Sequence, residues 1–386
     1  MSKRVAKKLA FYDSFDFDFS FEKNQLNDFS NLKIEEQDNL IHNLLVFLKN
    51  LISSKNIQFN TFSIAVSWPN LSQESIDNLK KSIQYRLIEE FKANFQKSID
   101  FANPDASFLI NFDKKAVFLS LKPVFVYGKY CKYSRDLAQT EHFCRFCKGR
   151  GCDKCALSGL TTQNSVEQIL AKFFIKQFDA KNMLFHGAGR EDVDVLMLGK
   201  GRPFVVELIQ PLKRNLEINN LIDLNKLRDS NLINLENEIN FSSSSLISIN
   251  SLRYSTKEEL IKVKNNPHDK IYQVTVALIN QNDEFDIKQI SLILDLNLNR
   301  KEKIIQRTPV RVEKRRADLN REKEITFLSY QFISNKEFKL NLRTSHGTYV
   351  KEFISGDEER TTPSLSMILL KPCFCKQLDV IEICEE

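Results

Sequence analysis

The sequence of 386 residues lacks a long hydrophobic run, since no apolar stretch approaches the roughly 20 residues that a membrane-spanning helix needs. It also lacks the apolar core and small-residue cleavage site of a secretory signal, because the basic start MSKRVAKKLA is followed by alternating acidic and aromatic residues. We therefore expect a cytoplasmic protein that does not bind membranes. Clear internal repeats are absent as well.

A strong excess of charge of one sign is also missing. The 56 Lys and Arg residues exceed the 50 Asp and Glu residues only slightly, giving a formal net charge of +6. This value permits a polyanionic partner without requiring one. Cations are nevertheless concentrated in RTPVRVEKRRADLNREK, residues 307–323. From charge alone, a solvated strand-turn-strand edge and a patch that follows phosphates are equally good interpretations.

Cysteines are few but clustered. Four of the eight lie in CRFCKGRGCDKC with the spacing C-x2-C-x4-C-x2-C: Cys144, Cys147, Cys152 and Cys155. Four thiolates can surround one Zn²⁺ tetrahedrally, and Gly149 and Gly151 allow the short loop to turn back. The spacing favours structural zinc over two redox pairs or a site without metal. The short central separation leaves open that His142 or Cys131 replaces one ligand.

The first part of the chain predicts an α+β domain. NLIHNLLVFLKNLI (39–52) and the stretch 72–95 have the apolar spacing of helices, and IQFNTFSIAVSW between them has the composition of a strand. SFLINFDKKAVFLSLKPVFVYGKY predicts a hairpin that turns at Asp113-Lys114-Lys115. An open sheet backed by two helices would bury these faces. Ser165 and Gln168 then predict a capped helix start, and we place the domain boundary in residues 157–164.

Beyond the boundary the pattern is rich in strands. DVDVLML and RPFVVELI predict a hairpin joined by Gly199-Lys200-Gly201, with the strand beginning at Val193. KIYQVTVALI and FKLNLRTSHGTYVKEFI predict further strands, the last passing into a helix. The stretch 215–255, rich in Asn, Ser and Leu, predicts a poorly packed excursion.

The segment GREDVDV places carboxylates at the start of an apolar strand. A surface carboxylate cluster is the ordinary explanation. However, GTYVKEF puts a lone cation, Lys351, into another apolar stretch, and a half-buried carboxylate needs such a partner to stay ionised. An ionised Asp in a cleft is suited to nucleophilic or proton-abstraction chemistry. Spacing and composition lead no further.

The motif GREDVDVLMLGKGRPFVVEL, with GTYVKEFISGDEERTTPSL far downstream, resembles the pseudouridine synthase 10 family of archaea and eukaryotes. KIYQVTVAL, QRTPVRVEKRRADLNRE and PVFVYGKYCKYSRDLAQT extend the resemblance from about residue 104 to the end. It implies an α+β protein with a pseudouridine synthase catalytic fold, a mixed or antiparallel sheet with flanking helices, at 161–386. It also implies an N-terminal THUMP-like RNA-binding domain at 1–160 that carries the zinc segment 144–155.

The resemblance implies an isomerase without an organic cofactor that converts uridine to pseudouridine in the tRNA T loop, at position 55 and also at 54. Asp192 matches the family's catalytic aspartate, which attacks C1′ or takes a proton from C2′ of the flipped nucleotide. Arg190 is expected to hold that nucleotide, and Tyr272 to stack on the base and take the C5 proton. Lys351 matches the basic partner of the aspartate. Flipping has a cost that stacking and phosphate contacts must offset.

Phosphate contacts are expected from six arginines: Arg307, Arg311, Arg315, Arg316, Arg321 and Arg360. The expected partner is tRNA, bound at its T arm and elbow by a monomer, with no DNA. The chain departs from the family's usual pattern in three places: it has no C-x-x-C pair near the N-terminus, Leu196 stands where Arg is common, and SGDEER replaces a pattern like H-G-D-x-G-R.

Two other functions remain as alternatives. A metal-dependent nuclease would gather Mg²⁺ with Asp192, Asp194 and Glu207, although Ile209 stands where such enzymes usually have lysine. A non-catalytic tRNA-binding zinc protein would use the zinc segment, the sheet and the basic patch without turnover. The second alternative predicts that Asp192→Asn leaves function intact.

Overall fold

Strands and helices are mixed along the described part of the chain in an α+β order, as the sequence predicts. The computed structural model describes residues 13–17, 33–67, 73–162, 164–214, 228–280 and 282–384, with the backbone alone described at 73–82 and at Arg315. Two compact units are present. The first comprises 1–125, 171–184 and 207–227, and the second comprises 126–170, 185–206 and 228–386.

A five-stranded sheet with the order β1-β5-β4-β2-β3 forms the first unit. Its strands are β1 (Asp13–Asp16), β2 (Thr61–Ser67), β3 (Ser98–Ile99), β4 (Ala106–Asn111) and β5 (Ala116–Leu121). The predicted hairpin is confirmed, because β4 and β5 pair antiparallel with Asn111 opposite Ala116.

Two long helices, α1 (Ile34–Lys55) and α2 (Gln73–Phe95), belong to the same unit. The buried residues of α1 recur every three or four positions, at Leu40, Leu44, Leu48 and Leu51, so one stripe of the helix faces the core. Phe91 of α2 is fully buried in the same core. Both predicted helices are therefore confirmed.

The next helix, α3 (Val166–Phe178), begins where the sequence predicts. The Oγ of Ser165 accepts a hydrogen bond of 3.1 Å from the backbone N–H of Gln168, which satisfies one of the donors left free at a helix start.

A ten-stranded sheet dominates the second part of the chain. Nine strands follow the order β14-β11-β12-β13-β10-β15-β8-β6-β9, and β7 pairs with β8. These are β6 (Val124–Lys132), β7 (Asn182–Gly187), β8 (Leu196–Ile209), β9 (Ile247–Ser255), β10 (Lys270–Leu278), β11 (Lys301–Arg307), β12 (Asn320–Phe332), β13 (Glu337–Thr344), β14 (Thr361–Thr362) and β15 (Cys373–Ile383). The helices are α4 (Ser230–Ser243), α5 (Lys257–Asn265), α6 (Ile287–Asn297), α7 (Val350–Ser355) and α8 (Leu365–Ile368).

The predicted hairpin at Gly199-Lys200-Gly201 is wrong, because β8 runs through these residues as one strand. Both glycines have positive φ, 63° and 84°. A Cβ on Gly199 would lie 1.9 Å from the carbonyl oxygen of Ile381, and one on Gly201 would lie 2.9 Å from that of Tyr130. The glycines therefore allow the neighbouring backbones to approach β8 closely, instead of reversing the chain.

The predicted loose excursion at 215–255 is wrong for the part that is described, while 215–227 lies outside the described residues. Asp229 caps α4 by accepting from the backbone N–H of Leu232 at 2.9 Å. Leu232, Leu235 and Ile239 are buried, and β9 joins the sheet beside β6. Tertiary burial orders a stretch whose composition alone is typical of loops.

Among the described residues, no helix is long and apolar enough to cross a membrane. The bounds of the two compact units differ from the predicted domains 1–160 and 161–386, and those domains stay a prediction. The segment with the four cysteines belongs to the second unit.

Candidate active site and cysteine cluster

Asp192 and Asp194 lie on a tight turn between the end of β7 and the start of β8. The backbone N–H of Val195 donates to the carbonyl oxygen of Asp192 at 3.2 Å, which closes the turn. The strand itself begins at Leu196, so the predicted strand start at Val193 is wrong. Both carboxylates therefore project from the turn, where they are partly exposed, and not from a buried strand.

Lys351, at the start of α7, contacts both carboxylates. Its Nζ lies 2.8 Å from Oδ2 of Asp194 and 3.4 Å from Oδ2 of Asp192. Burial alone would lower the pKa of Lys351, but the hydrogen bond to Asp194 and the charge of Asp192 raise it above the ordinary value. Burial alone would raise the pKa of the Asp194 carboxyl, but the contact with Lys351 lowers it below the ordinary value. The structure thus brings Asp192 and Lys351 together, with Asp194 as the nearer partner.

Arg311 is a second cation beside Asp192. Its Nη1 lies 3.4 Å from Oδ2 of Asp192, and its Nε pairs with the carboxylate of Glu352 on α7. Glu352 is buried, and its other carboxylate oxygen has no hydrogen-bond partner among the described residues. The sequence suggests Arg311 only as a phosphate contact, because nothing local connects it to residue 192. Asp192 is therefore flanked by two positive groups.

A buried ion pair lies directly before Asp192 in the chain. The carboxylate of Glu191 lies 2.8 Å from Nε of Arg202, and both side chains are 1% exposed. The phenol of Tyr130 also donates to Glu191 at 2.8 Å, and Gln139 donates to that phenol at 2.7 Å. These contacts hold the segment before the turn in one position. Sequence reasoning missed them, although an arginine at the start of the apolar run RPFVVELI is a signal for a buried partner.

The backbone of the turn itself is held by Lys132, which sequence reasoning also missed. Its buried ammonium group donates to the carbonyl oxygens of Val193 at 2.7 Å, Asp192 at 3.3 Å and Leu137 at 2.8 Å. Burial lowers the pKa of Lys132, while the charges of Glu191 and Asp194 act in the opposite direction. One lysine side chain therefore fixes two consecutive peptide groups of the turn.

Tyr272 lies on β10, between Leu342 of β13 and Val380 of β15. Burial raises the pKa of its phenol to about 12, with Glu191 and Asp192 adding to the rise and Arg202 opposing it. The tyrosine is therefore within electrostatic reach of the carboxylate turn and remains protonated at neutral pH.

Arg190 contacts the cysteine segment. Its Nη2 lies 2.6 Å from Nε2 of His142, which stands two residues before Cys144. The side-chain amide of Gln139 also donates to the carbonyl oxygen of Gly189 at 3.0 Å. The chain just before the cysteines is thus attached to the segment that leads to Asp192.

The predicted phosphate-binding arginines are largely paired with protein groups. Arg307 pairs with Asp318, and Arg360 contacts Asp318 at 3.3 Å and Glu313 at 3.0 Å. Arg321 donates to the hydroxyl of Thr308 at 2.9 Å. These residues form one network at the ends of β11 and β12.

Two further arginines of the predicted patch differ from this network. Arg316 is exposed and donates at 2.9 Å to the phenol of Tyr349, which directly precedes α7. The side chain of Arg315 lies outside the described part of the chain.

The four cysteines form one cluster in which all Sγ atoms lie within 4.8 Å of one another. The Sγ–Sγ distances are 3.9 Å for Cys144–Cys152, 3.8 Å for Cys147–Cys155 and 3.7 Å for Cys152–Cys155. A zinc tetrathiolate with Zn–S bonds of ~2.3 Å has edges of about 3.8 Å, so the donor set fits such an ion.

Neither His142 nor Cys131, the two possible replacement ligands, is needed to complete the cluster. Nε2 of His142 contacts Arg190, and Sγ of Cys131 lies 3.5 Å from the carbonyl oxygen of Gly199. A Cβ on Gly151 would lie 2.7 Å from the carbonyl oxygen of Leu157, so glycine is required where the loop closes on itself. The four cysteines could therefore hold one metal ion without a substitute ligand.

The nuclease arrangement receives no support from the contacts of the turn. Lys351 and Arg311 contact Asp192, and Lys351 contacts Asp194, so ammonium and guanidinium groups stand where Mg²⁺ would need to bind. Among the described residues, Asp192, Asp194 and Glu207 do not form a group that could hold a metal ion.

The fold and the turn together define an α+β protein with a carboxylate centre flanked by cations. Residues 125–384 match the family model described as "Pus10, C-terminal". Several curated relatives carry the name tRNA pseudouridine synthase Pus10. The relative from Korarchaeum cryptofilum is 34% identical over 88% of this chain and 89% of its own length. The relatives from Methanocaldococcus jannaschii (36%, covering 85% and 70%) and Archaeoglobus fulgidus (33%, covering 84% and 87%) are similar.

The chain therefore belongs to the Pus10 family. Among solved structures, the "Crystal Structure of a Cbf5-Nop10-Gar1 Complex" contains a chain that is 12% identical, with 56% of this chain and 45% of that chain covered. The TM-score of that match is 0.31, which is a weak likeness.

Proposed function

We propose that this protein is a tRNA pseudouridine synthase that isomerises uridine in the T loop, at position 55 and also at position 54. One observation carries the proposal. In this member of the Pus10 family, Asp192 lies on a turn held by buried side chains, and its carboxylate contacts Lys351 and Arg311. Both forms of the reaction require a carboxylate at this place, and ion pairs with the two cations hold that of Asp192 there.

In the proposed reaction the target uridine leaves the base stack and its ribose reaches Asp192. The carboxylate attacks C1′ and displaces the uracil, or removes a proton from C2′ as the glycosidic bond to N1 breaks. The uracil then turns and C5 bonds to C1′, which releases the carboxylate or is followed by return of the proton to C2′. C5 loses its proton and N1 gains one, so the product is an isomer of the substrate and no organic cofactor is needed.

Tyr272 is proposed as the platform on which the flipped base stacks. With a pKa of about 12, only about one phenol in 10⁵ is ionised at pH 7, so the side chain is a poor base in the resting protein. This supports stacking over removal of the C5 proton by Tyr272 itself. Arg190, whose exposed guanidinium contacts His142, is proposed to hold the flipped nucleotide.

The remaining arginines are proposed to contact phosphates of the T arm and elbow. Arg316 is exposed and is the most available of those described, whereas Arg307, Arg321 and Arg360 would act from within their network. We also propose a THUMP-like RNA-binding domain at 1–160, a catalytic domain at 161–386, a monomeric state and a cytoplasmic location.

The cysteine cluster is proposed to hold a structural Zn²⁺. The sulfur separations and the absence of a fifth donor among the described residues favour a closed tetrahedral site, which supplies folding energy and no chemistry. The test is elemental analysis of the purified protein, with Cys147→Ser as the variant. We expect one zinc per wild-type chain and less in the variant, and the absence of zinc from a wild-type protein refolded with it would contradict the assignment.

The activity is tested by incubating the protein with an unmodified tRNA transcript and no added cofactor, followed by carbodiimide mapping. Transcripts with cytidine at position 54 or 55 identify the modified site. Asp192→Asn should abolish modification while tRNA affinity, measured by gel shift, changes little. Asp113→Asn is the matched control and should retain activity, because that carboxylate is exposed on the turn between β4 and β5.

Each alternative function predicts a different result in the same assay. A non-catalytic tRNA-binding protein predicts binding without modification by the wild type. A nuclease predicts cleavage of the transcript that depends on magnesium.

A further inference from the structure

The segment closed by the four cysteines carries an unusual surface, which we call the cysteine knuckle (residues 143–157). Three large apolar side chains are exposed on it: Phe143 at 65%, Phe146 at 59% and Leu157 at 75%. Isolated exposed apolar side chains are ordinary, but three within fifteen residues need a reason. A knuckle of this size has no core of its own, and although the Phe143 ring lies against Gly149, most of the surface of all three side chains remains exposed.

Cations are interleaved with the apolar side chains. Arg145, Lys148, Arg150 and Lys154 are all exposed, and Asp153 is the one carboxylate within the knuckle. Among the described residues, no ion pair is found for Arg145, Lys148 or Lys154. The Nζ of Lys154 lies 3.8 Å from the centroid of the Phe146 ring. A filled tetrathiolate site adds two negative charges, which still leaves the knuckle with a net positive charge.

This surface differs from the basic segment at 307–323, where Arg307 and Arg311 pair with carboxylates and Arg316 and Arg321 donate to hydroxyl groups of the protein. The positive charges of the knuckle exceed its negative ones, so they are available to an external anion. Aromatic rings next to such cations are suited to unpaired RNA, because bases stack on the rings and phosphates meet the cations. A fully paired RNA helix does not offer its base faces in this way.

The chain just before the knuckle is also attached to the segment that leads into the carboxylate turn. Arg190, two residues before Asp192, contacts His142 at 2.6 Å, and Gln139 contacts the carbonyl oxygen of Gly189 at 3.0 Å. A tRNA whose flipped nucleotide reaches Asp192 therefore has neighbouring nucleotides close to the knuckle. This step rests on the proposed function.

We propose that the cysteine knuckle is an RNA-binding surface on which unpaired nucleotides of the tRNA substrate stack, with Phe146 as the central platform and Arg145, Lys148 and Lys154 as phosphate contacts. The metal site then has a purpose beyond local folding, since it fixes the position of the ring relative to the carboxylate turn.

The test compares the dissociation constant of an unmodified tRNA transcript for three variants, measured by fluorescence anisotropy. Phe146→Ala should raise the dissociation constant by about fivefold or more, because the loss of one base-stacking contact weakens binding by at least this factor. Phe146→Tyr should bind like the wild type, since it keeps the ring. The matched control is Phe241→Ala, which removes a phenylalanine that is 90% exposed on α4.

The zinc content and the single-turnover rate of the wild type and of each variant are measured as well. If Phe146→Ala keeps its zinc and binds as tightly as the wild type, the proposal is wrong. If that variant loses zinc, a second variant tests the proposal through the exposed cations. In the triple variant Arg145→Gln, Lys148→Gln and Lys154→Gln, the slope of log affinity against log salt concentration should become shallower by about 0.7 per lost phosphate contact. An unchanged salt dependence also overturns the proposal.

The two proposals fail separately. A wild-type protein that binds tRNA but forms no pseudouridine contradicts the proposed function, and the affinities of the Phe146 variants still decide whether the knuckle binds RNA. A wild-type protein that forms pseudouridine, with a Phe146→Ala variant of unchanged affinity, contradicts the knuckle alone.

Discussion

The ammonium group of Lys351 lies 2.8 Å from the nearer carboxylate oxygen of Asp194, closer than the 3.4 Å that separates it from Asp192. The pKa of Asp194 is lowered below 3.8 and that of Lys351 is raised above 10.5. The stabilisation from the aspartate is lost as pH falls through its lowered pKa, and that from the lysine is lost as pH rises through its raised pKa. The pair therefore persists across the whole range from 3.8 to 10.5, where the enzyme would work.

Lys351→Met should lower kcat, because Asp192 then keeps only Arg311 as a cationic neighbour among the described residues. We expect a loss of about tenfold to a hundredfold with little change in tRNA affinity, since a positioned charge at a reacting centre has about this effect. Single-turnover kinetics at saturating protein measures it. Lys303→Met, which removes an exposed lysine paired with Glu322, is the control and should behave like the wild type. Wild-type kinetics in Lys351→Met would show that the lysine does not act on Asp192.

Lys132→Met should lower kcat and stability together. The methionine keeps most of the volume but leaves the carbonyl oxygens of Val193, Asp192 and Leu137 without their donor. Loss of a buried donor costs about 1–3 kcal/mol, which urea unfolding can measure. If the lysine positions the turn, kcat falls while KM does not, and Lys132→Arg restores part of the rate. A stability loss with unchanged kcat would limit Lys132 to a structural role.

Glu191→Gln should destabilise the protein strongly, because Arg202 would keep a buried charge without a counter-charge. Removing one partner of a buried pair costs about 3–5 kcal/mol. Glu382→Gln removes the partner of Lys200, which is 80% exposed, and should change stability by less than about 1 kcal/mol. Urea unfolding of both variants tests the contrast, and equal stabilities would contradict it.

The stability of the protein should depend on pH because of the buried Lys270. Burial lowers the pKa of its ammonium group to about 8, from an ordinary value of 10.5. Between these two pH values the unfolded chain holds a proton that the folded protein has released, so stability contributed by this group rises with pH. In urea unfolding the wild type should gain stability relative to Lys270→Met from pH 8 to 10.5. A constant difference between the two proteins would mean that the lysine is not perturbed.

Much of the first unit follows from the sequence because its signals are local. The apolar stripe of α1 and the hairpin of β4 and β5 depend on residues close in the chain, so periodicity and turn residues predict them. The same holds for the cysteine cluster, whose ligands lie within twelve residues. The predictions at Gly199-Lys200-Gly201 and Val193 fail for the opposite reason, because contacts from Ile381, Tyr130 and Lys132 determine the backbone there.

The motifs around Asp192 and Lys351 are recognisable without coordinates, so the amino-acid order alone indicates which carboxylate and which lysine to pair. The folded chain was needed to find Arg311 beside Asp192, the buried Glu191–Arg202 pair behind it, and Lys132 on the carbonyls of the turn. These groups are separated by 11 to 119 positions in the chain but by about one hydrogen-bond length in space. No local pattern records such contacts, because they exist only when the fold brings β6, β8 and the residues after β11 to the carboxylate turn.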